Sequence, residues 1–301
     1  MTKKQTKDIA LLQKATLFSL TLHSWGNRRM VRAGELDKIK GAVRATKQLV
    51  VSQELQDIID YQNSIKRWTE TYCRPSYIVD GVYWMNKSVT ELVNDTLKAA
   101  NDKIKDELLP KFLAVYEQRK LEMQKPIDDG GLGELWHAED YPTADQLRSR
   151  FGIDHSFVSF GVPDGLPEKV HAEATAKMRK NIEEAEVKMI TGLRMEFGKL
   201  VEHLIDRITP GPDGKPKVFH DTMLAGFNVF FESFKHCNFA NDSDLAKQVE
   251  LCESVLSGVT PNELRKGKDV AKQIAKQFGE VKATVTKLIS EKPDRAFDWG
   301  N

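Results

Sequence analysis

Five cations, Arg265, Lys266, Lys268, Lys272 and Lys276, and three more, Arg28, Arg29 and Arg32, are the side chains here whose type and spacing suit binding chemistry. Arginine presents a planar fork of donors that matches a phosphate, and Trp25, three residues before Arg28, offers an indole for stacking on a base. In the second group Lys268, Lys272 and Lys276 recur every four residues, a spacing that lays a basic stripe along one helix face. Such a stripe can follow a phosphate backbone by releasing condensed counterions, or it can be an ordinary wet helix surface. Likewise, the arginines after Trp25-Gly26-Asn27 are either phosphate contacts or solvated residues at a strand end.

The second chemistry to consider is hydrolytic. Asp128, Asp129, Glu134, His137, Glu139, Asp140 and His155 form the chain's main local gathering of hard-metal or acid/base groups. A metal-dependent activity would need several of them to converge on one point, and adjacent acids in a glycine-rich loop more commonly face water. Gly130-Gly131-Leu132-Gly133 lacks a preceding strand and the full glycine pattern of a dinucleotide loop, and no GxxxxGK[ST] stretch is present. Cys73, Cys237 and Cys252 are odd in number and widely scattered, which fits reduced thiols, and only His236 stands close enough to assist a metal. His203 with Asp206 and Arg207 is not an HExxH motif. No catalytic residue, metal ligand or cofactor is therefore assigned, and the expected class is non-enzymatic.

Phe227, Phe230, Phe231 and Phe234 recur at steps of three and four, the pattern of a buried ridge or of a groove for a partner helix. With Trp25 they are the candidate protein-interface residues.

The elements that must position these groups are mainly helical. Charged residues make up 30% of the 301-residue chain, above the roughly 25% of an ordinary domain, and the hydrophobic share is 40%. The formal net charge of +1 hides an asymmetry: residues 1–50 hold eleven Lys/Arg against three Asp/Glu. Local potential, not the total, governs encounter with an anionic partner. No apolar run is long enough to span a membrane and no signal-like segment follows Met1, so a cytoplasmic protein without membrane contact is expected.

Residues 16–24 alternate with period two, and Phe18, Leu20 and Leu22 make the apolar face of a strand. Residues 77–85, with Asp80-Gly81 as a turn, predict a second extended segment or hairpin that pairs with the first, and 156–162 a third extended segment. Between them the spacing predicts one helix or two consecutive helices over 35–73, ended by Arg74-Pro75, and a helix from a Ser88/Glu91 capping box to about residue 124, kinked at Pro110. Residues 125–133 read as a linker, and Thr143 with Gln146 as a helix cap. The longest helix, 167–208, carries a seam of Met178, Ile182, Ala185, Met189, Leu193, Phe197, Leu200, Leu204 and Ile208, whose mean step near 3.75 is close to that of a straight helix. Helices over 219–234, 242–256 and 260–289 follow, then a tail with Phe297 and Trp299. The fold class is thus mainly α, long antiparallel helical hairpins with a small β element, in three segments: 1–125, 126–166 and 167–301.

The order of these parts, LTLHSWGNRR, IVDGVYWM, EDYPTADQLRSRF, SFVSFGVPD and one very long helix, resembles an uncharacterised helical family of bacteriophages and integrative elements, encoded near MoxR/CobS-type AAA+ ATPases and recombination genes. That resemblance implies an accessory protein in a bacterial host cell, working with an AAA+ ATPase or in DNA metabolism, and it carries no active site. Two functions follow as expectations. The first is an interaction or assembly protein, homo-oligomeric or held by an ATPase. The second is a nucleic-acid-binding protein using the basic N-terminus and the 265–287 helix.

Overall fold

The computed structural model describes residues 10–32, 45–211, 217–220 and 222–291. It is mainly helical, with a four-stranded antiparallel sheet and a separate two-stranded ribbon. The strands are β1 (Ala15–His23), β2 (Arg28–Met30), β3 (Thr46–Gln48), β4 (Cys73–Pro75), β5 (Val82–Asn86) and β6 (Gly152–Val158). The sheet order is β4-β5-β1-β6, and β2 pairs with β3. The helices are α1 (Ala10–Lys14), α2 (Gln53–Tyr72), α3 (Thr90–Lys103), α4 (Leu109–Glu122), α5 (Ala144–Arg148), α6 (Glu168–Ile208), α7 (Thr222–Cys237), α8 (Ser243–Leu256), α9 (Pro261–Lys266) and α10 (Lys268–Ser290).

The non-local pairing of the first strand with the IVDGVYWM segment is present: Leu17 lies opposite Trp84 and Phe18 opposite Tyr83. The sheet is nevertheless larger than expected. Residues 76–81 form the connection of a β4–β5 hairpin instead of strand, with Gly81 at φ 74 as glycine permits at low cost. The third strand begins earlier, at Gly152, and ends at Val158. Both Leu17 and Phe18 are buried, so β1 is covered on both faces near its start and not only on the Phe18 side.

Of the helix or two consecutive helices expected over 35–73, α2 covers Gln53–Tyr72. Residues 33–44, with Leu36, Ile39 and Val43, lie outside the described residues, and 46–48 are strand. Helix α2 starts after Ser52, whose hydroxyl accepts from the Leu55 N–H. The Ser88/Glu91 box is replaced by Asn86, whose side chain accepts from the Ser88 N–H and opens a short 3-10 turn. Pro110 does disturb its helix: a π turn, Ile104–Leu108, separates α3 from α4 and accommodates the carbonyl that proline leaves without a donor. Thr143 with Gln146 and Thr260 with Glu263 both form the expected capping boxes. The helix predicted over 260–289 breaks at Gly267, where a Cβ would sit 2.7 Å from the Glu263 carbonyl oxygen.

The described residues divide into two compact units, each assembled from separate stretches of chain. One comprises 1–19, 70–90 and 157–301, the other 20–69 and 91–156. The division does not follow the three contiguous segments expected, and none of its boundaries falls within 125–133. That stretch folds on itself: the Leu132 N–H donates to Met123, the Gly133 N–H to Lys125, and a Cβ on Gly131 would meet the Lys125 carbonyl oxygen at 2.0 Å.

In the first unit the seam of α6 meets α7 and α10, and α10 also packs on α8 and α9. Packing is organised around α6 and α10 rather than around successive hairpins. Phe197, Phe227, Phe230 and Phe278 are fully buried there. A bidentate ion pair between Arg194 and Asp242, with side chains only 7% and 3% exposed, crosses this interior, and Arg194 also donates to the Leu288 carbonyl. In the second unit Trp25, Phe112, Tyr116 and Phe151 form an aromatic core, with Trp25 set edge-on to Tyr116 at 6.0 Å.

Candidate functional site

The best-defined candidate is the β2–β3 ribbon and the cleft at its base, all within the second unit. Arg28 lies opposite Gln48, Arg29 opposite Lys47 and Met30 opposite Thr46. Side chains alternate across a ribbon, so Arg28, Met30, Thr46 and Gln48 share one face, and all four are exposed. Beyond the Arg28 end of the strand ladder, the Asn27 side chain continues the pairing: its amide donates to the Val50 carbonyl at 2.5 Å and its oxygen accepts from the Val50 N–H at 2.9 Å. Nothing local in the sequence marks Asn27 as a clamp on a backbone 23 residues away.

The opposite face is anchored. Lys47, buried despite its charge, donates to the Leu135 carbonyl and pairs with Asp140 at 2.7 Å. Tyr141 donates through its hydroxyl to the Leu49 carbonyl at 2.9 Å. Arg32 reaches Glu139 at 2.7 Å, and that hydrogen bond holds the Glu139 carboxyl below the usual carboxylate range. Two members of the acidic gathering, Glu139 and Asp140, are therefore bonded to ribbon cations. His155 is bonded elsewhere, to Asn94, and burial, helped by Lys98, lowers its pKa. Among the described residues, no group of three or more His, Cys, Asp or Glu side chains is placed to hold a metal ion.

Of the expected nucleic-acid contacts, Arg28 and Arg29 stand exposed on the ribbon. The Arg29 guanidinium returns one hydrogen bond to the Arg28 carbonyl, while the Arg28 guanidinium makes no hydrogen bond or ion pair among the described residues. Arg265 donates to the Phe219 carbonyl at 3.2 Å. Lys272 and Lys276 are exposed on α10, and the side chains of Lys266 and Lys268 lie outside the described residues. The ribbon and α10 belong to different units.

The candidate interface aromatics are interior. Phe230 stacks on Phe197 with centroids 5.2 Å apart, Phe227 meets Phe278 edge-on, and Phe231 and Phe234 are buried beside them. These side chains offer the helix-groove reading no surface, because a ridge spaced for a partner helix is equally spaced for the chain's own α6 and α10. Trp25 is also buried, at 3% exposure. Phe297 and Trp299 lie outside the described residues. Burial raises the pKa of all three thiols, that of Cys252 to about 12, so none is poised as a thiolate nucleophile.

A cleft of about 280 Å³ opens beside the ribbon, lined by Trp25, Asn27, Arg28, Gln48, Val50 and Leu55 among others. Gln48, Ser52 and the α2 residue Gln56, which complete it, carried no signal in the sequence, since each is an ordinary polar residue until the ribbon meets the start of α2.

No protein-family model, no curated protein and no solved structure matches this chain. Among the described residues, no helix is long and apolar enough to cross a membrane.

Proposed function

We propose that this chain is a non-enzymatic binding protein that engages nucleic acid through the β2–β3 ribbon. The observation that carries this reading is the exposed Arg28/Arg29 pair on a strand whose partner is held by Asn27, Lys47 and Tyr141. A two-stranded ribbon is narrow enough to enter a major groove, and arginine forks suit phosphates and base edges alike. Residues 27–48 hold seven Lys/Arg against two Asp/Glu, so the charge of this segment favours a polyanion. This role is compatible with an accessory place in DNA metabolism beside an ATPase, the setting implied by the family resemblance.

The test is fluorescence anisotropy with labelled oligonucleotides across a salt series. Binding should weaken steeply from about 50 to 200 mM salt, and the Arg28→Ala/Arg29→Ala variant should lower the log–log slope by about two. Binding that ignores salt, or no binding, overturns the reading.

A second reading, assembly with another protein, is favoured by one feature of α6. None of its first fourteen residues, 168–181, is buried among the described residues, and Val170 is 46% exposed. Light scattering behind size-exclusion chromatography tests it, alone and with a candidate ATPase. A monomer under every condition removes it.

A further inference from the structure

We infer that the cleft beside the ribbon is a nucleotide pocket that receives one unpaired base, with the adjoining phosphate on Arg28. The inference rests on the nucleic-acid reading and adds the form of the ligand. Three features of the cleft support it.

The first is its two-part lining. The floor is apolar and buried, made by Trp25, Val50 and Leu55, and the rim is polar and exposed, made by Arg28, Gln48 and Gln56. A bare oxyanion would gain nothing from such a floor, whereas a base has flat apolar faces and a hydrogen-bonding edge.

The second is unspent hydrogen-bonding capacity. The Gln48 amide nitrogen donates to Val50 and that of Gln56 to Asp60, leaving both Oε1 atoms without a donor among the described residues. Trp25 adds a buried indole N–H that has no hydrogen-bond partner among the described residues. Amide acceptors at the rim suit the exocyclic amines of bases, and the free Arg28 fork suits the phosphate that accompanies each base.

The third is size and rigidity. At about 280 Å³ the cleft lies just below the usual range of roughly 300–1,000 Å³ for small-molecule sites, so it suits one ring system and not a base pair. The Asn27–Val50 clamp fixes its wall before any ligand arrives, which reduces the ordering cost of binding. Bases stacked in a duplex cannot enter a cleft of this shape. Single-stranded nucleic acid and a free nucleotide can.

Gly26 provides the test, because it lines the cleft and a Cβ built there meets nothing within 4 Å. Gly26→Leu therefore places a side chain at the mouth without disturbing the fold, which thermal melting checks. The full-length protein is titrated with a labelled single-stranded 12-mer, the same sequence as duplex, and adenosine monophosphate. The expected result is a preference for the single strand of about tenfold over the duplex, the scale of one accommodated base, lost in Gly26→Leu while the salt slope stays unchanged. Gln56→Ala, at an exposed rim position, should give a smaller loss in the same direction. An oligonucleotide that binds far more tightly than adenosine monophosphate identifies the single strand as the ligand, and equal affinities identify the free nucleotide. Equal affinity for single strand and duplex, unaltered by Gly26→Leu, overturns the pocket and leaves the ribbon reading standing. No affinity for any of the three probes removes both.

Discussion

The β2–β3 ribbon and the helix α10 are both basic, but they hold their charge differently. On α10, Lys272 and Lys276 stand on long flexible stems in water, while Ala271, Ile274, Phe278, Val281 and Val285 on the opposite face fill the core. Helix amphipathicity alone accounts for those lysines. On the ribbon, Arg28 and Arg29 sit on a strand whose partner is held by a side-chain clamp, a buried lysine and a tyrosine hydroxyl. Nothing in the local packing requires two adjacent exposed arginines there. The contrast shows that a count of basic residues weighs the two regions alike, whereas the rigidity of the backbone beneath them does not.

The largest effect should come from the interior of the first unit, which sets the reference for what a pair of opposite charges can do when water is excluded. Asp242→Ala strands the buried Arg194 guanidinium and removes the side chain that caps α8, so stability should fall by about 3–5 kcal/mol in urea unfolding. A loss near that of a surface pair would mean that the site is wet.

Next is the direct comparison of the basic regions. Lys272→Ala/Lys276→Ala should change the salt slope of nucleic-acid binding by well under the two units expected for the Arg28→Ala/Arg29→Ala pair. Equal slopes would mean that the two basic regions engage phosphates alike.

Smaller again is the exposed Arg32–Glu139 pair. Glu139→Gln removes the negative charge facing Arg32, beside the ribbon, so nucleic-acid affinity should rise a few-fold with little change in melting temperature. Because the Glu139 carboxyl is held below its ordinary value, the stabilisation from this pair is present above the unfolded carboxylate pKa and fades as pH falls through the lower folded one. The melting difference between wild type and Glu139→Gln should therefore close in acid.

The smallest effect is at His155. Its folded pKa is lowered by burial and Lys98, so the neutral ring contributes fully above the unfolded value of about 6.5, and that contribution is lost as pH falls toward the folded one. Proton NMR should find its midpoint below 6.5, and a midpoint above it would contradict the surroundings seen here.

Much of the fold was legible because its signals are local. The seam from Ile182 to Leu204 reports one face of α6, and Thr143/Gln146 and Thr260/Glu263 each close a cap within four residues. Where distant contacts decide, local signals misled. Thr46–Gln48 became strand by pairing with Arg28–Met30, and Ser88 lost its cap to Asn86. The candidate site was half legible. Arg28 and Arg29 stood out by charge, but Gln48, Ser52 and Gln56 did not, because polar residues acquire a shared purpose only when folding brings them to one cleft.

Sequence by itself determined that the chain is mainly helical, that a long amphipathic helix dominates its second half, and that its positive charge gathers near the start. Periodicity, capping and charge act over a few residues and need no knowledge of the rest. Tertiary structure alone decided that the phenylalanine ridge faces inward, that Glu139 and Asp140 pair with Arg32 and Lys47, and that a cleft opens beside Arg28. Those outcomes depend on which surfaces meet across tens of residues, where burial and pairing outweigh any local preference.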